Sequence, residues 1–326
     1  MEPKKNHKTW RLWRRVLCFA LILLMLLAVS SWALYPRDNS ADSGITFPDA
    51  RGFYTEPENT IDVYMVGNSG AYAGFSPMEL WSAYGITSYV SGEPKQQIAA
   101  ALTLLEEFLK RQRPKVILFE TDEIFTGESR LNSVIPKAIE SKLPVFKYHN
   151  NWKHLKLSTL FKKPNYTYVS PTKGQAANKA VNAYTGAEYM TPTDRVAKIP
   201  ASTRLLLNRL VSLCREENIP LVLVDMPCAL SWSYARHNAV QAFADENGLY
   251  FMDFNTPELR ASTGFSRTTD TYDGGNHLNC VGARKMTCWI GDYLRTNYSL
   301  TDHRSDEALA PAWNADLEKY RKAYGK

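Results

Sequence analysis

VYMVGNSGAYAGFSP (63–77) is the stretch on which the reading of this chain turns. An apolar run enters Gly67-Asn68-Ser69, so IDVYMVGNS (61–69) reads as a buried strand that delivers Ser69 to its carboxyl edge. Working outward, the same unit recurs. ITSYVSG (86–92), KVILFETD (115–122), IPLVLVDMP (219–227) and LYFMDF (249–254) read as four further strands. QQIAAALTLLEEFLKRQ (96–112), STRLLLNRLVSLCREEN (202–218), SYARHNAVQAFADENG (233–248) and VGARKMTCWIGDYLRTN (281–297) carry helical spacing. Pro114 follows the first of these, and Gly248 stops the third. Strands that alternate with helices predict a three-layer α/β/α domain around a parallel sheet. Such sheets bind ligands at the carboxyl ends of their strands. The residues to watch are therefore Gly67-Asn68-Ser69, Gly92, Glu120 to Asp122, Asp225 to Cys228, and Asp253.

Val16 to Tyr35 holds no charge over 20 residues, enough to cross a hydrocarbon core of about 30 Å. Trp10, Trp13 and Trp32 flank it as interfacial aromatics do. Residues 1–15 hold six basic residues and one acid, which leaves 33 basic and 32 acidic residues in the other 311. The formal charge of +6 is thus local, and a basic nucleic-acid face is not indicated. Basic residues on the N-terminal side alone place that side in the cytoplasm and the rest of the chain outside. The competing reading is a cleaved signal peptide. The long apolar run, with no small-x-small site before Pro36, favours an anchor. The organisation expected is a cytoplasmic basic segment (1–15), a transmembrane signal anchor (16–35), a polar linker (36–58), an α/β domain (59–298) and a C-terminal tail (299–326). Within the domain, residues 124–200 lack periodicity but keep their tyrosines, which suits an ordered insertion.

TYDGGNHLNCVGARK (271–285) is the second chemical segment. A serine needs an adjacent base to act as nucleophile, and the base needs an acid to fix its tautomer. Ser69 and His277 are the candidate pair. Asp273 is the first choice of acid, Asp270 a substitute, and a dyad without an acid remains open. Glu120 and Asp122 are candidates for substrate or cation binding, or are surface carboxylates. His149, Trp152 and His154 could line the cleft or belong to a solvated loop. The five cysteines show no metal spacing. Cys228 and Cys280 could pair, but isolated buried thiols are preferred.

With these motifs, the chain resembles the SGNH/GDSL hydrolases. Within them it is similar to the membrane-anchored, extracytoplasmic bacterial proteins that accompany membrane-bound O-acyltransferases, such as teichoic-acid D-alanylation and alginate acetylation proteins. Gly67-Asn68-Ser69 resembles the Gly-Asp-Ser block. Gly92 resembles the glycine whose N–H joins that of Ser69 in the oxyanion hole. Asp273 to His277 resembles the Asp-x-x-His block. The resemblance implies a flavodoxin-like fold, no cofactor, and Ser69 attacking an ester with His277 as base. Beside it, the residues read above, Asn68, Glu120, Asp122, His149 and Trp152, are the candidates for substrate binding. The implied activity is acyl ester hydrolysis or O-acyl transfer on cell-envelope glycans, with a membrane-bound O-acyltransferase as partner. A catalytically weak binding partner and a small-ester esterase are the alternatives. Three departures stand out. Asp273 lies four residues before His277 rather than three, Gly70 follows the serine where many relatives carry histidine, and Glu120-Thr121-Asp122-Glu123 replaces the Gly-x-Asn-Asp block.

Overall fold

The computed structural model describes residues 7–126, 139–140, 142–155, 157–161 and 163–325. Residues 1–6 of the basic segment and 127–138 of the expected insertion lie outside the described residues. Five strands form one parallel sheet: β1 (Val63–Val66), β2 (Ser88–Ser91), β3 (Val116–Glu120), β4 (Leu221–Asp225) and β5 (Tyr250–Asp253). Their order is β2-β1-β3-β4-β5, the flavodoxin-like arrangement. After β1 the chain moves outward to β2 and then returns past β1 to β3. The switch point therefore lies between β1 and β3, where a crevice opens at the carboxyl edge.

Alternation along the strands divides the core in two. Tyr64, Val66, Ile117, Phe119 and Leu223 face one side, where helices α4 (Ile98–Phe108), α5 (Ala201–Glu216) and α6 (Tyr234–Asn247) contribute Leu105, Phe108, Leu207, Leu210, Val240 and Phe243. Val63, Met65, Leu118, Val222 and Val224 face the other. There α2 (Ser69–Gly74), α3 (Pro77–Tyr84) and α7 (Cys280–Asn297) contribute Ala71, Leu80, Met286, Ile290 and Leu294. Burial on both faces explains why the strands read as continuous apolar runs.

Two expected boundaries differ. The linker is packed: Pro48–Thr55 form a 3₁₀ helix that buries Ala50 and Phe53, with Phe53 edge-on to Tyr64 and Tyr89. The tail is not free either. Its helix α8 (Ala310–Tyr324) buries Trp313, Leu317 and Tyr320, and Trp313 meets Trp81 of α3 at 5.1 Å. Short apolar positions spaced along a polar helix hid this face from the sequence. Trp313→Ala is expected to lower unfolding stability by about 3–5 kcal/mol, measured by denaturant titration.

Part of the insertion is an extended strap along the β2 edge. Lys173 O accepts the Val90 N–H at 3.0 Å, and further on Asn178 O accepts the Cys280 N–H at 2.8 Å. Lys173 is buried and paired with Glu56 at 2.8 Å and Asp316 at 2.9 Å, tying strap, linker and α8 together. Helix α1 (His7–Leu34) runs 28 residues. Among the described residues it is the one helix long and apolar enough to cross a membrane.

Candidate active site

β1 ends at Val66, and the chain turns through Gly67-Asn68 into α2, whose first residue is Ser69. Asn68 makes this turn. Its Oδ1 accepts the Gly70 N–H at 2.8 Å, capping the helix, while its Nδ2 donates to Asp122 Oδ2 at 2.9 Å. One buried side chain thus fixes the serine turn to the end of β3. As the first residue of α2, Ser69 has an N–H with no carbonyl four residues back to take it. Ser69 lines a cleft of about 290 Å³ together with Asn68, Tyr72, Asp122, Cys228 and His277.

His277 reaches the cleft from the loop before α7. Its Nδ1 lies 2.6 Å from Asp273 Oδ2. Asp273 Oδ1 accepts the backbone N–H of His277 at 2.7 Å and of Asn276 at 3.2 Å. The four-residue spacing is absorbed by Gly274 and Gly275, whose φ angles of 75° and 96° are open to glycine and strained for other residues. With Nδ1–H donated to Asp273, Nε2 becomes the basic nitrogen. The Tyr272 ring stacks on the imidazole at 5.6 Å. Asp270, the substitute acid, is instead buried in a structural role. It accepts from Lys285 Nζ and the Ser266 N–H, each at 2.7 Å. Of the two carboxylates, Asp273 is the one within hydrogen-bond reach of the imidazole.

Among the described residues, Ser69 has no hydrogen bond to His277. Burial raises the Tyr72 phenol above its ordinary value, and the nearby Ser69 hydroxyl opposes that shift. Bonds between nucleophile and base often close only around bound substrate.

The strand ends beside Ser69 are acidic and buried. Burial, with the neighbouring Asp122 and Glu123 carboxylates, pushes Glu120 well above the usual carboxylate range. Burial, then Glu120, Asp253 and Asp122, does the same to Asp225. Asp225 accepts from Thr121 Oγ1 at 2.6 Å and from Asn255 Nδ2 at 2.9 Å. Asn255 Oδ1 takes the Cys228 N–H at 2.8 Å, so one amide ties β4 to the segment after β5. Glu120 also crowds Gly70: a Cβ at position 70 would lie 2.8 Å from Glu120 Oε1, so a histidine after the serine requires the Glu120 carboxyl to shift. Glu123 is pushed up to about 8, mainly by burial; Gln96 opposes the shift and Asp122 adds to it. Between its unfolded value near 4.5 and 8, the folded form keeps the proton that the unfolded chain loses. Stability must therefore fall as pH rises across that window. Glu123→Gln removes this term and is expected to raise stability at pH 8 by at least about 1 kcal/mol, read from melting curves at pH 5 and pH 8.

The other expected site residues divide. Asn68, Glu120 and Asp122 do line the cleft. Asp122, at the place where the resemblance implies an oxyanion-donating asparagine, accepts from Asn68 and from Arg236 at 3.3 Å, and its carboxylate offers no N–H. Gly92 follows β2 and abuts the Gly67 carbonyl, but it is buried behind the turn, and Pro94 and Lys95 form that wall. His149 and Trp152 are not in this cleft. They sit on a 3₁₀ turn, His149–His154, beside the end of α1. His149 lines a neighbouring cavity and Trp152 is exposed; the side chain of His154 lies outside the described residues. Cys228 and Cys280 are separate free thiols. Tyr72, Lys95, Ser231 and Asn276 were missed. Tyr72 was legible, since it lies three residues after Ser69 on a helix. The others depend on how separate loops converge.

No protein-family model matches the chain, and no curated protein matches it in sequence. Solved structures do resemble it. A putative acylhydrolase from Bacteroides fragilis is 12% identical over 76% of this chain and 94% of its own, with a TM-score of 0.39. A GDSL-like lipase from Bacteroides thetaiotaomicron is 12% identical over 77% and 98%, with a TM-score of 0.40. A lipase/acylhydrolase from Enterococcus faecalis is 11% identical over 74% and 99%, with a TM-score of 0.39. The fold rests on the strand order described above, and the chemistry is read from the site itself.

Proposed function

We propose that the chain is a membrane-anchored serine acyl hydrolase or acyltransferase. One observation carries this reading: Ser69 and an Asp273-oriented His277 meet in one cleft at the switch point of the sheet. In the reaction His277 Nε2 takes the Ser69 proton as Oγ attacks an ester carbonyl. The Ser69 N–H supports the oxyanion, the alcohol leaves with the proton from His277, and water or an acceptor hydroxyl resolves the acyl-enzyme. Gly92, the second expected donor, would have to reach the oxyanion past the Pro94–Lys95 wall.

The basic N-terminal flank of α1 supports a cytoplasmic N-terminus and an extracytoplasmic domain. The motif resemblance adds the substrate class: O-acyl groups of cell-envelope glycans, with a membrane-bound O-acyltransferase as the companion protein. A second reading is a binding partner with little activity of its own. It is favoured by the lack, among the described residues, of a Ser69–His277 hydrogen bond and by Asp122 standing where a third oxyanion donor is expected. One missing donor costs about 10²–10³-fold in rate.

The deciding experiment uses the full chain in detergent, with an activated acetyl ester and a fluorophosphonate probe. Turnover with labelling at Ser69 supports the enzyme. An inert, unlabelled protein that still binds glycan or an acyltransferase supports the binding partner.

A further inference from the structure

The apolar helix and the folded domain are not simply joined end to end. The last turn of α1 is gripped by side chains and backbone from residues 144–161. The Val145 N–H donates to Ser31 Oγ at 3.3 Å, and Asn151 Nδ2 donates to the Leu34 carbonyl at 3.2 Å. The rings of Trp32 and Phe161 lie 5.6 Å apart, and Tyr35 meets Tyr148 edge-on at 5.7 Å. A helix rises about 1.5 Å per residue. Groups touching Ser31 to Tyr35 therefore sit within about one turn of the end of the apolar run. Whatever surrounds that end of α1 surrounds them too.

The same stretch exposes large apolar side chains. Phe161 is 84% exposed, Trp152 65%, Phe146 48% and Leu155 44%. Scattered single exposures are ordinary, but four within 16 residues on one segment mark an interaction surface. Cations accompany them. Lys153, Lys163 and Arg37 line a cavity of about 500 Å³ that also includes Leu34 at the end of α1. Arg37 lies over the Trp32 ring at 5.0 Å. Asp38 and Asp42 share that wall, and Asp38 is engaged by Ser40 and Thr167. Aromatic rings and cations at one depth beside an apolar span are the pattern of a lipid headgroup region. Only 6% of the apolar window of α1 is buried against this chain; on the membrane-anchor reading of α1, on which this inference rests, lipid surrounds that window and the 144–161 surface is continuous with it.

We propose that this surface is a membrane-docking platform. Phe146, Trp152, Leu155 and Phe161 enter the headgroup region of the leaflet from which α1 emerges. Lys153, Lys163 and Arg37 hold lipid phosphates in the cavity beside Leu34. The domain is then seated on the leaflet rather than swinging on a linker. A second cavity of about 410 Å³ extends from Tyr35 and Phe146 to Pro94 and Lys95, the two residues that also wall the Ser69 cleft. The seat thus brings that cleft within one loop of the membrane surface. The platform does not depend on the chemistry assigned to Ser69.

The test uses the full chain in lipid nanodiscs of phosphatidylcholine and phosphatidylglycerol. Cys18→Ser removes the exposed thiol on α1. Nitroxide labels are placed through Phe161→Cys, through Trp152→Cys and, as a water-exposed control on α5, through Leu205→Cys. Collision with oxygen and with a nickel chelate is measured by power saturation. Labels at 161 and 152 should be several-fold more shielded from nickel, and more open to oxygen, than the label at 205. Lys153→Glu with Lys163→Glu should return the label at 161 toward nickel accessibility. Labels at 161 and 152 that match the control overturn the platform, as they would if a protein partner covered this surface. Shielding unchanged by the charge reversals overturns the phosphate contacts.

Discussion

Ser69→Ala is expected to abolish fluorophosphonate labelling and to cut ester turnover by roughly 10⁴–10⁶-fold. The large figure follows from position. The hydroxyl stands on the first residue of α2, at the switch point of the sheet, in the same cleft as His277. Its removal deletes the bond-forming atom while leaving Asn68 free to cap the turn, so the fold should persist. His277→Ala should cost a similar factor, because serine without a base is a poor nucleophile near neutral pH. The two losses should not add when both substitutions are combined, since the residues act as one unit. Labelling that survives Ser69→Ala would place the nucleophile elsewhere and sink the proposed chemistry.

Asp273→Asn is expected to lower kcat by about 10⁴-fold with little change in melting temperature. An amide at this position can still accept the His277 N–H through its oxygen, so the loop should hold. It cannot favour the Nδ1–H tautomer or stabilise an imidazolium as a carboxylate does. Asp270→Asn provides the contrast. That side chain lies buried against Lys285 and the Ser266 N–H, so its replacement should lower the melting temperature and leave the intrinsic labelling rate of the folded protein near wild type. The reverse pattern would mean that Asp270, not Asp273, supplies the acid. If neither substitution changes kcat, the site works as a Ser–His dyad.

Much of this architecture was legible in the residues. The runs VYMV, VILF and LVLV are apolar at every position, up to the acids that end β3 and β4, because both faces of the sheet are covered, and burial of consecutive residues needs no knowledge of the neighbours. Placing Ser69 after β1 and His277 before α7 likewise followed from local pattern. Harder to see was everything that depends on which loops meet. His149 and Trp152 read as cleft residues because aromatics and histidine are common there. They lie instead against the end of α1, because this part of the insertion folds back on the N-terminal helix rather than over Ser69. The α8 helix was read as tail because only a few of its side chains face inward, and their partner Trp81 is more than 200 residues away.

Local pattern along the chain already carries the parallel α/β layering, the apolar helix at the N-terminus and the two segments that hold serine and histidine. Those are set by periodicity and by short-range turn chemistry. Only the folded arrangement brings Asp273 and not Asp270 to the imidazole, lets Asn68 bridge the serine turn to Asp122, and buries Glu120, Glu123 and Asp225 deeply enough to raise their carboxyls above the usual range. Each of these turns on distances of a few ångströms between residues far apart in the chain. Hydrogen bonding and desolvation act over that range, and the spacing of residues along one segment does not encode it.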